Sequence, residues 1–129
     1  MKKRLLGFLC QWCGARALEH LSYQRRPLPA GFYPIRVPCS GSVAPEVITQ
    51  ALASGASGVL VVGCPPGQCH FREGNQRCAI RMRFLKGWLK ALGVSGERIR
   101  LALVGAGEGE KLYQIVWDFW EDLGEDRPL

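Results

Sequence analysis

The chain has 129 residues, of which 47% are hydrophobic and 22% are charged, as expected for one globular domain with a packed core. No apolar run approaches the roughly 18 residues of a membrane-spanning helix, which argues against a membrane protein. The net charge is +6, but residues 1–100 hold 15 Lys and Arg against 4 Asp and Glu, whereas residues 101–129 hold 2 against 7. This division predicts two differently charged faces that dock onto other proteins, and no binding of nucleic acid.

The amino terminus combines basic residues with the apolar run 5–9, as a signal peptide does, but the run is too short and charge returns at Arg16. We therefore interpret it as a first buried strand in a cytoplasmic protein. Six cysteines would suit a disulfide framework in a small secreted chain that lacks a sufficient core. Here the aliphatic content is high, and clustered cysteines inside a cell more often bind metal or carry out redox reactions.

Apolar runs alternate with longer amphipathic stretches along the chain. In chain order, the predicted elements are strand 5–9, helix 13–23, strand 32–37, helix 45–54, strand 58–63, helix 74–92, strand 99–104 and helix 108–123. The Val-rich strand 58–63 shows no polar alternation, as expected when both faces are covered. The apolar residues of helix 74–92 are four apart and lie close to one stripe: Ile80, Phe84, Trp88 and Leu92.

Strands that alternate with helices predict a parallel sheet with right-handed crossovers. We therefore expect one α/β domain over residues 1–129. Its predicted architecture is a flavodoxin-like, doubly wound four-stranded parallel sheet with helices on both faces.

Three predicted strands are each followed by a cysteine, namely Cys10, Cys39 and Cys64. Cys13 and Cys69 lie a few residues further along in the same loops. Open parallel sheets bind ligands outside the carboxyl ends of their strands, so we expect these five cysteines at one edge. Soft thiolates select zinc, copper(I) or iron–sulfur clusters, and a cluster needs four cysteines. The pattern predicts a small electron-transfer protein with an iron–sulfur cluster at this edge.

Two other functions fit part of the pattern. The Cys10-x-x-Cys13 spacing is also that of thioredoxin-like thiol–disulfide oxidoreductases, which leaves Cys39, Cys64 and Cys69 unexplained. A zinc-binding structural adaptor usually has paired Cys-x-x-Cys knuckles, and only one such pair is present. No Ser-His-Asp set, P-loop or paired carboxylates are visible, so we expect an electron-transfer subunit rather than an enzyme that acts alone.

Three further residues lie close to these cysteines in the sequence. Cys78 falls within helix 74–92, away from the loops, and we interpret it as a core or surface residue. His70 follows Cys69 and is interpreted as a hydrogen-bond donor to a sulfur or as a surface residue. Trp12 lies inside the Cys-x-x-Cys turn, where it either shields a cluster from water or packs against the neighbouring strand.

Four segments resemble the delta subunit of methyl-viologen-reducing hydrogenase: CQWC at 10–13, VPCSGSV at 37–43, GASGVLVVGCPPGQCH at 55–70 and EGN at 73–75. The similarity runs through nearly the whole chain, to segment 107–110. In that family the subunit carries a [2Fe–2S] cluster. It passes electrons from a hydrogenase, or a formate dehydrogenase, to the flavin-containing subunit of heterodisulfide reductase.

The resemblance implies that the cluster ligands are found among Cys10, Cys13, Cys39, Cys64 and Cys69. These are five candidates for four positions, so one of them is not a ligand. The sequence departs from the usual family pattern in having Pro65 where a histidine is common, Gln68 where an aspartate is common, and the additional Cys78. These changes keep the thiols but affect the environment that tunes the reduction potential.

Overall fold

Strands and helices alternate throughout the part of the chain that the computed structural model describes, residues 3–40, 43–64, 74–91 and 96–124. The strands are β1 (Leu5–Cys10), β2 (Phe32–Val37), β3 (Gly58–Gly63) and β4 (Ile99–Leu103). The helices are α1 (Gly14–Tyr23), α2 (Pro45–Ala53), α3 (Gly74–Ala91) and α4 (Gly109–Asp122). A short 3₁₀ turn, Gly96–Arg98, which the sequence pattern did not predict, leads into β4.

The strands form one parallel sheet in the order β2-β1-β3-β4. All six residues of β3 are buried, because this strand lies between two others and is covered on both faces. β2 is an edge strand with an exposed middle, where Pro34 is tolerated because an edge strand can do without one backbone donor. The order is the one that flavodoxin-like folds use, and the predicted four-stranded parallel sheet is confirmed.

Alternate residues of β3 contribute to two separate apolar cores. Leu60 and Val62 face the core that α1 and α4 cover, whereas Val59 and Val61 face the core that α2 and α3 cover. The helical residues of the first core include Leu21, Leu112, Val116 and Phe119, and those of the second are Ile48, Leu52, Met82, Leu85 and Leu89. Helices therefore cover both faces of the sheet, as predicted.

The apolar stripe predicted on α3 is not the face that packs on the sheet. Ile80 and Phe84 are 68% and 74% exposed, whereas Met82, Leu85 and Leu89 are buried. The helix carries two apolar stripes, and only the second meets the sheet. Leu92 and the side chain of Trp88 lie outside the described part of the chain.

The boundaries of the elements agree closely with the sequence pattern. β2 and β3 have the predicted bounds, and β1 extends one residue further, so Cys10 is the last residue of the strand instead of the residue after it. Among the described helices, none is both long and apolar enough to cross a membrane.

Candidate metal centre at the carboxyl ends of the strands

Two buried thiols meet where β1 and β3 end. Cys10 is the last residue of β1 and Cys64 directly follows β3, and the two strands are hydrogen-bonded neighbours. Parallel pairing therefore brings both side chains to the same edge, where the Sγ atoms lie 3.6 Å apart. Both residues are 1% exposed, and neither forms a disulfide bond. The separation is that of two contacting thiols and far exceeds the roughly 2.05 Å of a disulfide bond.

A third thiol joins them from the start of α1. Cys13 is the N-cap residue of this helix, is buried, and belongs to the same contact cluster as Cys10 and Cys64. Gly14 lets the helix approach the sheet, because a Cβ there would lie 3.1 Å from Cγ1 of Val62. The sequence feature that produces the cluster is thus a strand, a two-residue turn and a helix that begins with glycine.

Trp12 covers part of this cluster. Its side chain packs against the three cysteines, and the guanidinium of Arg16 lies 5.9 Å from the centre of its ring. The backbone N–H of Gln11 donates to the carbonyl of Val37 at 2.9 Å, which fixes the turn relative to the end of β2. The indole therefore packs at the cysteines, where it limits the access of water to the thiols.

Cys39 lies at the same edge, two residues after β2, and is a buried cysteine that forms no disulfide bond. It is not one of the three cysteines in the contact cluster of described residues. Cys69 and His70 lie outside the described residues, and of Cys78 only the backbone, within α3, is described. The structure thus brings three of the five predicted cysteines into contact, and the predicted ligand set as a whole stays a prediction.

The environment of Cys64 favours the neutral thiol. Burial raises the pKa of this group well above its usual value, and hydrogen bonding to the Cys13 and Cys10 thiols raises it further. Negative charge on either neighbour would add to the effect. A thiol of this kind is a poor free nucleophile, but a coordinated metal reverses the balance because it binds the deprotonated sulfur.

A buried hydroxyl completes this edge, and the sequence pattern did not single it out. Ser40 is 1% exposed, and its Oγ has no hydrogen-bond partner in the part of the chain that the structure describes. It lies against Gly63, where a Cβ would be 2.6 Å from the hydroxyl oxygen. The available signal was its position next to Cys39, just beyond a strand that ends at the site.

These groups suit an iron–sulfur cluster by their chemistry. Buried reduced thiols are soft ligands for iron, and a hydroxyl without an acceptor among the described residues is a candidate donor to sulfur. Among the described residues, no group of three or more His, Cys, Asp or Glu side chains forms a site for a single metal ion. A cluster of several iron and sulfide ions spans more space than one ion, so its ligands need not converge on one point.

A parallel α/β domain with thiols gathered at the carboxyl ends of its strands belongs to the class of small proteins whose site is built from cysteine. Residues 5–125 match the family described as methyl-viologen-reducing hydrogenase, delta subunit. The chain belongs to this family, and the resemblance drawn from its motifs is confirmed.

Curated relatives fall into two groups by length. The chain is 40% identical over 110 residues to the iron-sulfur subunit of the F420-non-reducing hydrogenase of Archaeoglobus profundus, a match that covers 85% of this chain and 80% of the relative. It is 34% identical over 120 residues to the vhc iron-sulfur subunit of the F420-non-reducing hydrogenase of Methanococcus voltae, covering 93% and 83%. It is also 35% identical over 125 residues to a subunit of the ferredoxin/F(420)H(2)-dependent CoB-CoM heterodisulfide reductase of Methanosarcina acetivorans. That match covers 97% of this chain but 16% of the relative.

Proposed function

We propose that this chain is a cytoplasmic electron-transfer subunit that carries one [2Fe–2S] cluster. It relays electrons between a hydrogenase, or a formate dehydrogenase, and the flavin subunit of a heterodisulfide reductase-type complex. Four of the five cysteines Cys10, Cys13, Cys39, Cys64 and Cys69 hold the cluster. The chain itself turns over no substrate.

The observation that carries this proposal is the contact among the buried, reduced thiols of Cys10, Cys13 and Cys64 at the ligand-binding edge of a parallel sheet. Thiols are costly to ionise when buried, as the raised pKa of Cys64 indicates. Neutral thiols can pack in a core as small apolar groups, but three of them in contact at the ligand-binding edge of the sheet suit a group that binds thiolate. The names of the hydrogenase relatives, which include the words iron-sulfur subunit, support the same cofactor class.

The partners are supported by the two settings in which related sequences occur. In one setting the relative is a separate subunit of a hydrogenase, and in the other it is a segment of a much longer heterodisulfide reductase polypeptide. A domain that functions in both settings is suited to exchange electrons with both kinds of protein. We infer that this chain connects a hydrogenase-type donor with an acceptor of the heterodisulfide reductase type.

The residues of the chain have separate tasks in this relay. A bound cluster supplies one-electron redox chemistry. Cys10 and Cys64 present sulfur from adjacent strands, and Cys13 presents it from the helix start. Trp12 limits access of water, and the hydroxyl of Ser40 would be available to donate a hydrogen bond to a cluster sulfur, an interaction that would stabilise the more negative, reduced state.

The cofactor is tested by anaerobic purification with elemental analysis and electron paramagnetic resonance. We expect a brown protein with equal amounts of iron and acid-labile sulfide, two of each per chain, and a paramagnetic signal after one-electron reduction. A colourless protein with stoichiometric zinc would contradict the proposal and favour the structural adaptor. Four irons per chain would correct the cluster type alone.

The ligands are tested by replacing each of the five cysteines with serine in turn. Cluster loss in four variants and retention in one would identify the residue that is not a ligand. Cys78→Ser is the matched control, because this cysteine lies in α3 and outside the predicted set. Loss of the cluster in that variant would show that the strand-end argument selects the wrong residues.

The thioredoxin-like alternative makes a different prediction for the same variants. It requires disulfide-reducing activity that depends on Cys10 and Cys13 and survives serine at Cys39, Cys64 and Cys69. The contact between the Cys10 and Cys64 thiols favours the cluster, because Cys64 has no task in a reaction of the Cys-x-x-Cys pair. An insulin-reduction assay separates the two functions.

A further inference from the structure

The outer face of α3 is apolar although it is exposed. Ile80 and Phe84 are 68% and 74% exposed, and they lie one helical turn apart on the side opposite Met82 and Leu89. The helical repeat adds Gly87 to the same face. Isolated exposed apolar residues are ordinary, but an isoleucine and a phenylalanine on one helix face form a patch of the kind that protein partners cover.

The same face carries a glycine, Gly87, in the interior of the helix. Glycine is among the poorest formers of helix interiors, and this one lies inside a helix of 18 residues. A Cβ added at this position would meet no atom within 4 Å, so packing within the described chain does not require a glycine here. A partner that approaches the helix backbone closely would require one.

A groove between α2 and α3 continues the exposed face. It has a volume of about 630 Å³, and its apolar lining from Pro45, Ala53, Phe84 and Leu85 is joined by the polar residues Glu46, Thr49 and Gln50. Phe84 thus forms both the centre of the exposed face and one wall of the groove. An apolar side chain from a partner fits such a groove, and buried anchors of this kind carry much of the affinity of protein interfaces.

The charge around the face selects the kind of partner. α3 contains no Asp or Glu, and the exposed residues beside the apolar positions include Arg83, Lys86 and Lys90. A surface of this kind complements an apolar patch that is bordered by carboxylates. Phosphate groups would satisfy the cations but would leave Ile80 and Phe84 in water, so a protein is favoured over a nucleic acid.

A second copy of the chain is a poorer occupant. Two of the four acidic residues of α4 are engaged within their own chain, because Glu110 pairs with Arg26 at 2.8 Å and Asp122 pairs with Arg100 at 3.0 Å. Two copies, each with a net charge of +6, would also repel each other.

We propose that the outer face of α3, defined by Ile80, Phe84 and Gly87, docks a redox partner protein that presents an apolar patch bordered by carboxylates. The choice of a redox partner rests on the proposed function, whereas the surface itself rests on exposure, the unexplained glycine and charge. The groove beside Phe84 receives an apolar side chain of that partner.

The test measures the affinity of the full-length, cluster-loaded chain for its cognate hydrogenase and for its cognate heterodisulfide reductase, each purified and immobilised. Phe84→Ala is expected to weaken binding to one of the two by about tenfold. Gly87→Ala is expected to weaken the same complex although it raises the Tm of the free chain by about 3 °C, because alanine favours helix. Tyr23→Ala is the control, since this residue is 89% exposed but lies on α1.

Opposite signs for stability and affinity in Gly87→Ala, with no effect of Tyr23→Ala, would support the docking surface. If both α3 variants bind both proteins as the unaltered chain does, the docking proposal is overturned while the relay function stands. If the loaded chain binds neither protein, both proposals are overturned together. Concentration-dependent dimerisation, or binding of poly(U) RNA, that Phe84→Ala abolishes would also overturn it.

Discussion

The two ends of the sheet differ in how their buried polar groups are paired. At the amino ends, Arg98 donates hydrogen bonds to the carbonyls of Ala56 at 2.7 Å and Ser57 at 2.9 Å. The hydroxyl of Ser57 accepts the backbone N–H of Arg4 at 3.1 Å. Arg4, Ser57 and Arg98 each stand one residue before a strand, so this end is joined by the chain's own hydrogen bonds.

At the carboxyl ends the buried groups are thiols and one hydroxyl. Cys10, Cys13 and Cys64 are in contact with each other, and Ser40 finds no acceptor among the described residues. Burying a hydroxyl without a partner costs free energy. Hydrogen bonds within the chain therefore join the strands at their amino ends, whereas the buried groups at the carboxyl ends are of kinds that bind a ligand.

The largest effect is expected at the amino end, from Arg98→Ala. Loss of two hydrogen bonds from a charged, partly buried donor should lower the free energy of unfolding by about 3 kcal/mol. Urea denaturation under anaerobic, reducing conditions measures the change. Arg98→Lys, which keeps the charge but cannot make both bonds in the same geometry, should recover less than half. A loss below about 0.5 kcal/mol would remove the basis for calling this end the secured one.

The next effect concerns the close approach of Gly63 and Ser40 at the carboxyl end. Gly63→Ala places a Cβ 2.6 Å from the Ser40 hydroxyl oxygen, and should cost about 2 kcal/mol through overpacking. Adding Ser40→Gly should recover most of this loss, because it removes the atoms that clash. Additive effects of the two changes in urea denaturation would mean that the serine does not lie against the glycine.

The contrast between the ends bears on what the sequence could predict. The order of apolar runs along the chain was enough to predict the sheet. The residues of β2 and β3 have the composition of strands, so both strands could be identified without knowledge of their neighbours. Parallel strands place their carboxyl ends at one edge of the sheet, so the topology alone predicted that Cys10 and Cys64 lie at the same edge. Which side of α3 meets the sheet did not follow, since both stripes of this helix are apolar and α2 and the sheet decide which one is covered.

The hydrogen bonding of the serines at the two ends could not be predicted from the sequence for a different reason. Ser40 and Ser57 look alike in composition and in their closeness to a strand, and both are buried. Only the packing shows that one accepts a backbone N–H and that the other has no partner in the described part of the chain. Hydrogen-bond satisfaction depends on distances of a few tenths of an ångström, which no residue pattern specifies.

A smaller difference in the free energy of unfolding is expected between alanine variants of these two serines. Ser57→Ala should lower the free energy of unfolding by about 1 kcal/mol, because it leaves the N–H of Arg4 without this acceptor. Ser40→Ala, in the chain without a cluster, should cost nothing or stabilise slightly, because it removes a buried hydroxyl that has no partner among the described residues. Paired urea titrations give both values. Equal losses in the two variants would indicate that the ends do not differ in the way described.

The smallest effect is a shift in reduction potential, and it tests what the Ser40 hydroxyl is for. If this group donates to a cluster sulfur, Ser40→Ala should lower the potential of the loaded protein by about 40 mV, the equivalent of one hydrogen bond near 1 kcal/mol. The sign follows because a donor stabilises the more negative, reduced state, so its removal makes reduction harder. Ser57→Ala is the matched control and should leave the potential unchanged, since that hydroxyl lies at the opposite end of the sheet. A redox titration followed by electron paramagnetic resonance measures the potential of both variants. An unaltered potential in Ser40→Ala would indicate that the hydroxyl does not interact with the cluster and that the serine is not part of the site.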